Sequence, residues 1–348
     1  LHQISDLMGG LERRFYDFAS TSNSRQPSDR VAVIAIDDQS IANIGRWPWP
    51  RDVQAQMIDL LGVAKAKVVA NTVFYFEPQT DRGLAYVRKI KEALGEIGEN
   101  PTAAQDAVSR LIAEAEAKID TDAILVGSLS KAGNTVVGSV FTLQEPLGRA
   151  DSAMPAFAQK YAIDEVDGFS LPASKGQFPI DAIGNAAAGL AHVNQFNDVD
   201  GAVRAEPLLV NYFGRAIPSM AMLAAMKSLN LEPKDIRLNV GESVQLGKLK
   251  IRTDEQARML PQFYSPRDGK PAFAIDSFYD VLTGKIPASK YTGKIVVIGA
   301  TAAGVGVQFP VPGYPALSPV ETMAHIISSI LSEHFIVQPS WGIYASLA

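Results

Sequence analysis

The sequence predicts an α/β fold: a mostly parallel central sheet flanked by helices, with additional antiparallel β segments and long terminal helices. Three observations carry this expectation. Val31–Ile36 is a continuous apolar, β-branched run and Lys294–Ile298 is one after its opening lysine, the pattern of strands buried on both faces. Strand, helix and strand succeed one another over residues 31–76, a βαβ unit that requires parallel pairing. Apolar residues recur at 3–4 spacing in 1–20, 51–64 and 320–331, as amphipathic helices demand.

Along the chain, residues 1–20 read as a helix with Ile4, Leu7, Met8, Leu11, Phe15 and Phe18 on one face. A Ser/Pro/Asn linker at 21–30 leads into the first strand. Asp38 and Ser40 can cap a short helix at 39–44, and Pro50 can open the helix Arg51–Ala64 at its first position. Lys67–Phe76 is the second strand. Residues 82–118, rich in Ala, Glu and Lys and broken by Gly98, Asn100 and Pro101, read as a helical hairpin or two packed helices. Ala123–Leu129 and Thr135–Phe141 read as short strands joined by a hairpin turn at Lys131-Ala132-Gly133-Asn134. Residues 143–186, punctuated by four prolines, form a long excursion. Gly189–Asn194 and Glu206–Tyr212 are strands around the polar turn Asn197–Gly201. Ser219–Ser228 is a helix capped by Pro218 or Ser219. Short β segments fill 236–264, a short helix lies at Ser277–Leu282, and Val320–Leu331 is the last helix. No internal repeat is visible. The organisation is therefore a membrane-proximal helix and linker at 1–30, an α/β body at 31–335 with a helical insertion at 82–120, and a lead-in to a membrane helix at 336–348.

Composition excludes several functions. In 348 residues, 47% hydrophobic and 20% charged, there is ample apolar material for a folded core. A net charge of −5 without a basic stripe excludes nucleic acid as a partner. The absence of cysteine removes disulfides, thiolate metal sites and a thiol nucleophile. The four histidines are dispersed without HExxH spacing, so neither a metal site nor a cofactor is expected. No 18-residue apolar run occurs. Trp341 and Tyr344 before small and apolar residues, with the helical start of the chain, lead to the expectation of membrane spans adjoining one or both ends.

Candidate site residues gather at strand ends, where open parallel sheets hold ligands. Ile36 runs into Asp37-Asp38, Ala70 into Asn71, and Ile298 into Gly299-Ala300-Thr301. If the strands are neighbours, Asp37, Asn71 and Thr301 converge on a rim suited to a cation, a polyol or an amine. Arg46-Trp47-Pro48-Trp49-Pro50-Arg51 is stiffened by its prolines. Its Arg46, Trp49 and Arg51 can stack on or pair with a ligand. The alternative is that the tryptophans plug the sheet edge. Asp198 and Asp200 have calcium-loop spacing, but the twelfth position is Leu209, so a tight Asx turn is expected, with Arg204 pairing to Asp198 or Asp200. No catalytic machinery is recognisable.

The landmarks Val33–Ser40, Gly45–Arg51, Phe74 with Phe76-Glu77-Pro78, Asp198–Arg204 with Pro207-Leu208, Pro218-Ser219, Gly293–Thr301 and Val320-Glu321 occur in one order. In this the chain resembles the type-two CHASE domain, the cyclase/histidine-kinase-associated sensory extracellular domain. Two positions depart from the family pattern: Asn71 replaces an Asp, and Ala205 replaces a second Arg. The resemblance implies the extracytoplasmic sensory domain of a bacterial inner-membrane receptor whose output is a cyclase or kinase. The resemblance implies no particular ligand; the reading adopted is that the domain binds a small polar ligand or a periplasmic protein and relays the event through its terminal helices. The candidate contacts are Asp37, Asp38, Arg46, Trp49, Arg51, Asn71, Glu77, Arg204 and Thr301. A homodimer through the N-terminal helix is expected, because its apolar face needs a cover. The competing readings are a hydrolase-like enzyme using Asp37 and Asp38, and a protein-interaction platform anchored by Trp47 or Trp49.

Overall fold

The computed structural model describes residues 2–337 apart from 23, 80, 96–101, 151, 152, 165 and 268, with side chains from residue 9 onward except those of Glu12 and Arg82. The expected lead-in at 336–348 lies almost wholly outside the described residues.

The chain begins with α1 (His2–Thr21) and β1 (Val31–Ile36). Next come α2 (Asp38–Ile44), α3 (Arg51–Val63) and β2 (Val68–Asn71). Helices α4 (Arg82–Gly95), α5 (Ala103–Ile119) and α6 (Thr121–Ala132) precede β3 (Thr135–Leu143). The Pro-rich excursion holds α7 (Ala156–Gln159), β4 (Ile163–Asp164), β5 (Ala173–Gln177) and α8 (Asp181–Ala186). Strands β6 (Gly189–His192), β7 (Phe196–Asn197), β8 (Val203–Pro207), β9 (Leu209–Tyr212) and β10 (Arg215–Pro218) lead to α9 (Met220–Ser228). Then follow β11 (Ile236–Asn239), β12 (Ser243–Leu246), β13 (Leu249–Arg252), β14 (Arg258–Pro261) and β15 (Ile275–Ser277). The chain continues with α10 (Phe278–Leu282), β16 (Ile295–Ala300), β17 (Phe309–Val311), β18 (Tyr314–Leu317), α11 (Pro319–Ser332) and β19 (Phe335–Ile336).

The central sheet has the order β15-β1-β16-β2-β3-β5, with β6 also on β3. All its pairings are parallel except β3 with β5. Its two faces are both dry, which is why β1 and β16 read as unbroken apolar runs. Val31, Val33, Val68, Ala70 and Val297 pack toward Leu223 of α9 and Ile327 of α11. Their neighbours Ala32, Ile34, Ile36, Val69 and Val296 pack toward Met57 and Leu61 of α3, Phe278 and Trp49. Period-two alternation thus distributes one apolar strand between two cores. A smaller antiparallel sheet, β19-β14-β8-β7, holds the last strand among the described residues.

The structure corrects several expectations. Ala123–Leu129 is helical, not extended: Asp120 caps α6 by accepting from the Ala123 amide at 3.0 Å, and Gly133 ends it at φ 60°. Leu125 and Leu129, one turn apart, pack against Ala55 and Ile58 of α3. A short apolar run carries no periodicity to separate the two states, and the caps decide it. Lys131–Asn134 therefore closes a helix, and β3 runs parallel to β2 rather than forming a hairpin. The second strand stops at Asn71. Residues 206–212 divide between two sheets, and the edge strand β15 and the hairpin β17–β18 were not anticipated. Pro50 stands at the N-cap of α3, one residue before the position expected for it.

Trp49, 4% exposed, fills the space between α3, α10 and the sheet, 5.1 Å from the rings of Phe278 and Trp47. Trp49→Ala is expected to lower stability by about 3–5 kcal/mol, the range for truncating a buried aromatic. Urea unfolding monitored by circular dichroism measures it.

Candidate functional site

The strand ends do come together. Ile36 pairs with Ala300 and Ile298 with Asn71, so β1, β16 and β2 finish side by side. Their polar side chains, however, serve the fold. Asp37 is the N-cap of α2: its Oδ1 accepts from the Ser40 amide (2.9 Å), the Ser40 hydroxyl (2.5 Å) and the Ser277 hydroxyl (2.9 Å). Asp38, exposed, accepts from the Ala303 amide at 3.0 Å and pins the loop after β16. Thr301 gives its amide to the Ile36 carbonyl at 3.0 Å. Asn71 is fully buried; its amide nitrogen donates to the Tyr75 hydroxyl (2.9 Å) and its oxygen accepts from the Val73 amide (3.0 Å).

The Trp-Pro loop leads into a second polar group. Trp49 donates its indole N–H to the Gly45 carbonyl at 2.7 Å, and the Trp47–Pro48 peptide is cis. Arg46 is exposed and Trp47 half-buried. Arg51 is buried at the N-terminus of α3, where it pairs with Asp122 and donates to the Glu77 carbonyl. Its guanidinium lies 5.3 Å from the centre of the Tyr75 ring. The Gln79 side chain accepts from the Arg51 amide (2.8 Å), and the Gln79 amide donates to Asp122 (3.0 Å). Arg51, Asn71 and the Glu77 carbonyl thus meet around Tyr75, and Glu77 itself is exposed. A cleft of about 480 Å³ adjoins this group, lined by Gln79 and Asp122 together with Leu84, Arg88, Val126 and Ile180. Its volume is that of a small-molecule site.

Arg204 belongs to neither group. It joins three carboxylates: Asp17 of α1 (2.7 and 3.0 Å), Asp198 (3.1 Å) and Asp200 (2.8 and 2.9 Å). The expected pairing within the Asx turn is present, and Asp17 is the member the sequence did not reveal. Hydrogen bonding from Arg204 holds the Asp200 carboxyl down at about 2, and hydrogen bonding to Asp17, then to Asp200, raises the guanidinium's own pKa. Next to this clasp, Tyr16 of α1 donates to the Pro261 carbonyl at 2.7 Å in a buried contact. Gln262, 1% exposed, donates from its side chain to the Ser20 carbonyl of α1. The Gln262 backbone meets the Ser329 hydroxyl of α11 at 2.9 and 3.1 Å and the His334 carbonyl at 3.2 Å. The first and last elements of the body therefore converge on one residue.

Two buried titratable groups were also not foreseen. Burial pushes the Glu206 carboxyl, which is hydrogen-bonded to Ser219, up to about 8. Burial lowers the His192 pKa to about 3, so the ring is neutral; its Nδ1 accepts from the Asn194 amide at 3.3 Å. His192 and Ser219 are bridged through their backbones. Among the described residues no group of three or more His, Asp or Glu could hold a metal ion, and no helix is long and apolar enough to cross a membrane.

A family model, that of the CHASE2 domain, matches residues 1–348, the whole chain. Comparisons with curated proteins and with solved structures gave no match.

Two outcomes follow from this geometry. Arg204→Met should loosen α1 by about 2 kcal/mol, less than for a fully buried pair because the carboxylates are partly solvated. Hydrogen exchange over residues 9–22 would then speed up roughly 30-fold, since 1.4 kcal/mol is a factor of ten. For Glu206, the folded carboxyl keeps its proton to a higher pH than the unfolded one. Its contribution is full below the unfolded pKa of 4.5 and is lost as pH rises to about 8. Unfolding free energy should fall by up to about 1.4 kcal/mol per pH unit in that window. Urea titrations of Glu206→Gln over the same range should show this slope removed.

Proposed function

The chain belongs to the CHASE2 family of extracellular sensory domains typical of signalling receptors, and from that premise we propose that it senses a small polar ligand and reports the event through α1 and α11. Its setting in this reading is the periplasmic face of an inner-membrane receptor whose output is a cyclase or a kinase. The observation that carries the reading is the joint at Gln262. An input helix and an output helix 242 and 67 residues away in sequence are hydrogen-bonded to the same buried side chain and backbone. A displacement of either element must break or re-form those bonds, because a buried amide left unpaired costs roughly 1–3 kcal/mol. Ligand binding that favours one arrangement is then a population shift of the two ends together.

The cleft beside Gln79 and Asp122 offers a ligand a place against the Arg51 group. Asp37 and Asp38 favour this reading over hydrolysis, since both are engaged in capping and loop anchoring. A protein partner anchored on Trp49 is disfavoured by that residue's burial.

Thermal unfolding against a library of amino acids, sugars, polyamines and divalent cations tests the reading. A true ligand at about 100 times its dissociation constant should add ~2.7 kcal/mol and change hydrogen exchange in residues 9–22 and 319–332 together. Gln262→Ala should uncouple the two segments while leaving the stabilisation. Failure of every compound to stabilise the protein would remove direct small-ligand sensing.

A further inference from the structure

The amino edge of the central sheet carries positive charge that the fold does not neutralise. Arg30, Lys294 and Lys67 stand immediately before the first residues of β1, β16 and β2. These strands are neighbours in register, Val31 with Ile295 and Ile295 with Val68, so the three cations lie abreast. Adjacent strands are only about 4.8 Å apart, and like charges side by side on a sheet repel one another. Lys227, in the last turn of α9, comes to the same edge. Beside it, Arg30 reaches the Ser228 carbonyl and hydroxyl (3.5 and 3.4 Å), and the Lys67 ammonium donates to the Asn230 side chain at 2.6 Å.

The partners of these cations are neutral. Lys294 donates to the Asp29 carbonyl at 2.9 Å, and the Lys227 ammonium lies 5.7 Å from the centre of the Tyr161 ring. Among the described residues none of the four pairs with a carboxylate, in contrast to Arg51 and Arg204, each of which does. The C-terminal end of α9 attracts cations, but a helix end carries about half a negative charge. Arg30, Lys67 and Lys227 together exceed that by roughly two positive charges.

Lys67 and Lys227 line one cleft of about 300 Å³, with Asn134, Asn230, Leu231 and Glu232. This is the lower end of the range for small-molecule sites. The Glu232 carboxylate does not cancel the lysines, because it pairs with Lys234 at 2.8 Å. The Lys227 stem is laid against bare backbone: a Cβ at Gly189 would meet its Cε at 2.9 Å. The lining offers ammonium groups and no guanidinium fork. A fork suits planar carboxylates, whereas lysine is a compact point charge whose rotatable donors suit a charge-dense phosphate. A phosphate monoester carries about −1.5 to −2 at neutral pH, which matches the excess.

We propose that the cleft between Lys67 and Lys227 is an anion site that takes a phosphate group, either free or as the monoester of a small polar molecule. It lies at the opposite end of β2 from Asn71, apart from the cleft beside Gln79 and Asp122, and neither site depends on the other. A phosphate held there screens the row of cations and ties the start of β2 to the turn after α9.

Isothermal titration of the whole chain with orthophosphate, glycerol phosphate and succinate, at low and at physiological salt, tests the site. Saturable one-to-one binding of a phosphate is expected, with succinate at least roughly tenfold weaker, because the lining lacks the fork a carboxylate prefers. Tighter binding of glycerol phosphate than of orthophosphate would identify an ester as the occupant; equal or weaker binding would identify the free ion. Lys67→Met and Lys227→Met should each weaken binding roughly tenfold or more, the lower end for a hydrogen bond to a charged group. Lys118→Met, at an exposed residue paired with Glu114 on α5, should leave binding unchanged. Absence of saturable phosphate binding to the unaltered chain would overturn the proposal whatever the variants do. Succinate binding as tightly as phosphate would overturn it, as would a loss in Lys118→Met equal to that in the two cleft variants.

Discussion

Gln262 is the constraint on which the arrangement of the whole body turns. It is one amide side chain and one peptide unit, buried, with hydrogen bonds to α1, α11 and the segment entering β19. Buried peptide groups must find partners, and here the partners come from three parts of the chain far apart in sequence. The small sheet β19-β14-β8-β7 is built outward from this point: β14 ends at Pro261, and β8, its neighbour, carries Arg204 to α1. The large parallel sheet supplies most of the hydrophobic stabilisation, but the small sheet determines where the chain enters and leaves it.

The carboxyl edge of the large sheet shows how polar residues at strand ends can be conscripted by the fold. Asp37 offers one oxygen to three donors, and Asp38 fixes a neighbouring loop. Asn71 explains itself in the same terms. At complete burial its side chain both donates to Tyr75 and accepts from Val73. An ionised Asp could supply only the acceptor half and would carry a charge into a dry site. Asn at this position therefore suits an uncharged interior.

What could be read from the sequence follows from how local the determining physics is. Strands β1 and β16 were legible because burial on both faces leaves an unbroken apolar run. Helix α9 was legible from the Ser219 cap, and α11 from its apolar 3–4 spacing, which the Ser318–Glu321 capping box reinforces. Helix α6 was not, because its apolar run is too short for its period to show, and its identity rests on Asp120 and Gly133 at its ends. Among site residues, Arg204 with Asp198 and Asp200 was visible as a four- to six-residue spacing. Asp17, 187 residues earlier, could not be paired with Arg204 without the fold. Glu206 and His192 look like any polar strand residues until their burial is known. The stripe of α1 was visible as apolar spacing, but only the mounting of the helix reveals that it faces outward.

The joint between the two ends has an architectural consequence. The described body is held at one joint where the end of α1 meets α11, and it behaves there as a cassette on a single hinge-post. The α4–α5 hairpin lies far from that post in sequence, and α5 buries none of its side chains. Such an outlying limb can lengthen, shorten or change its surface while the spacing between the incoming and outgoing chain stays the same. New recognition surfaces can thus be tried on the periphery without disturbing the Gln262 joint.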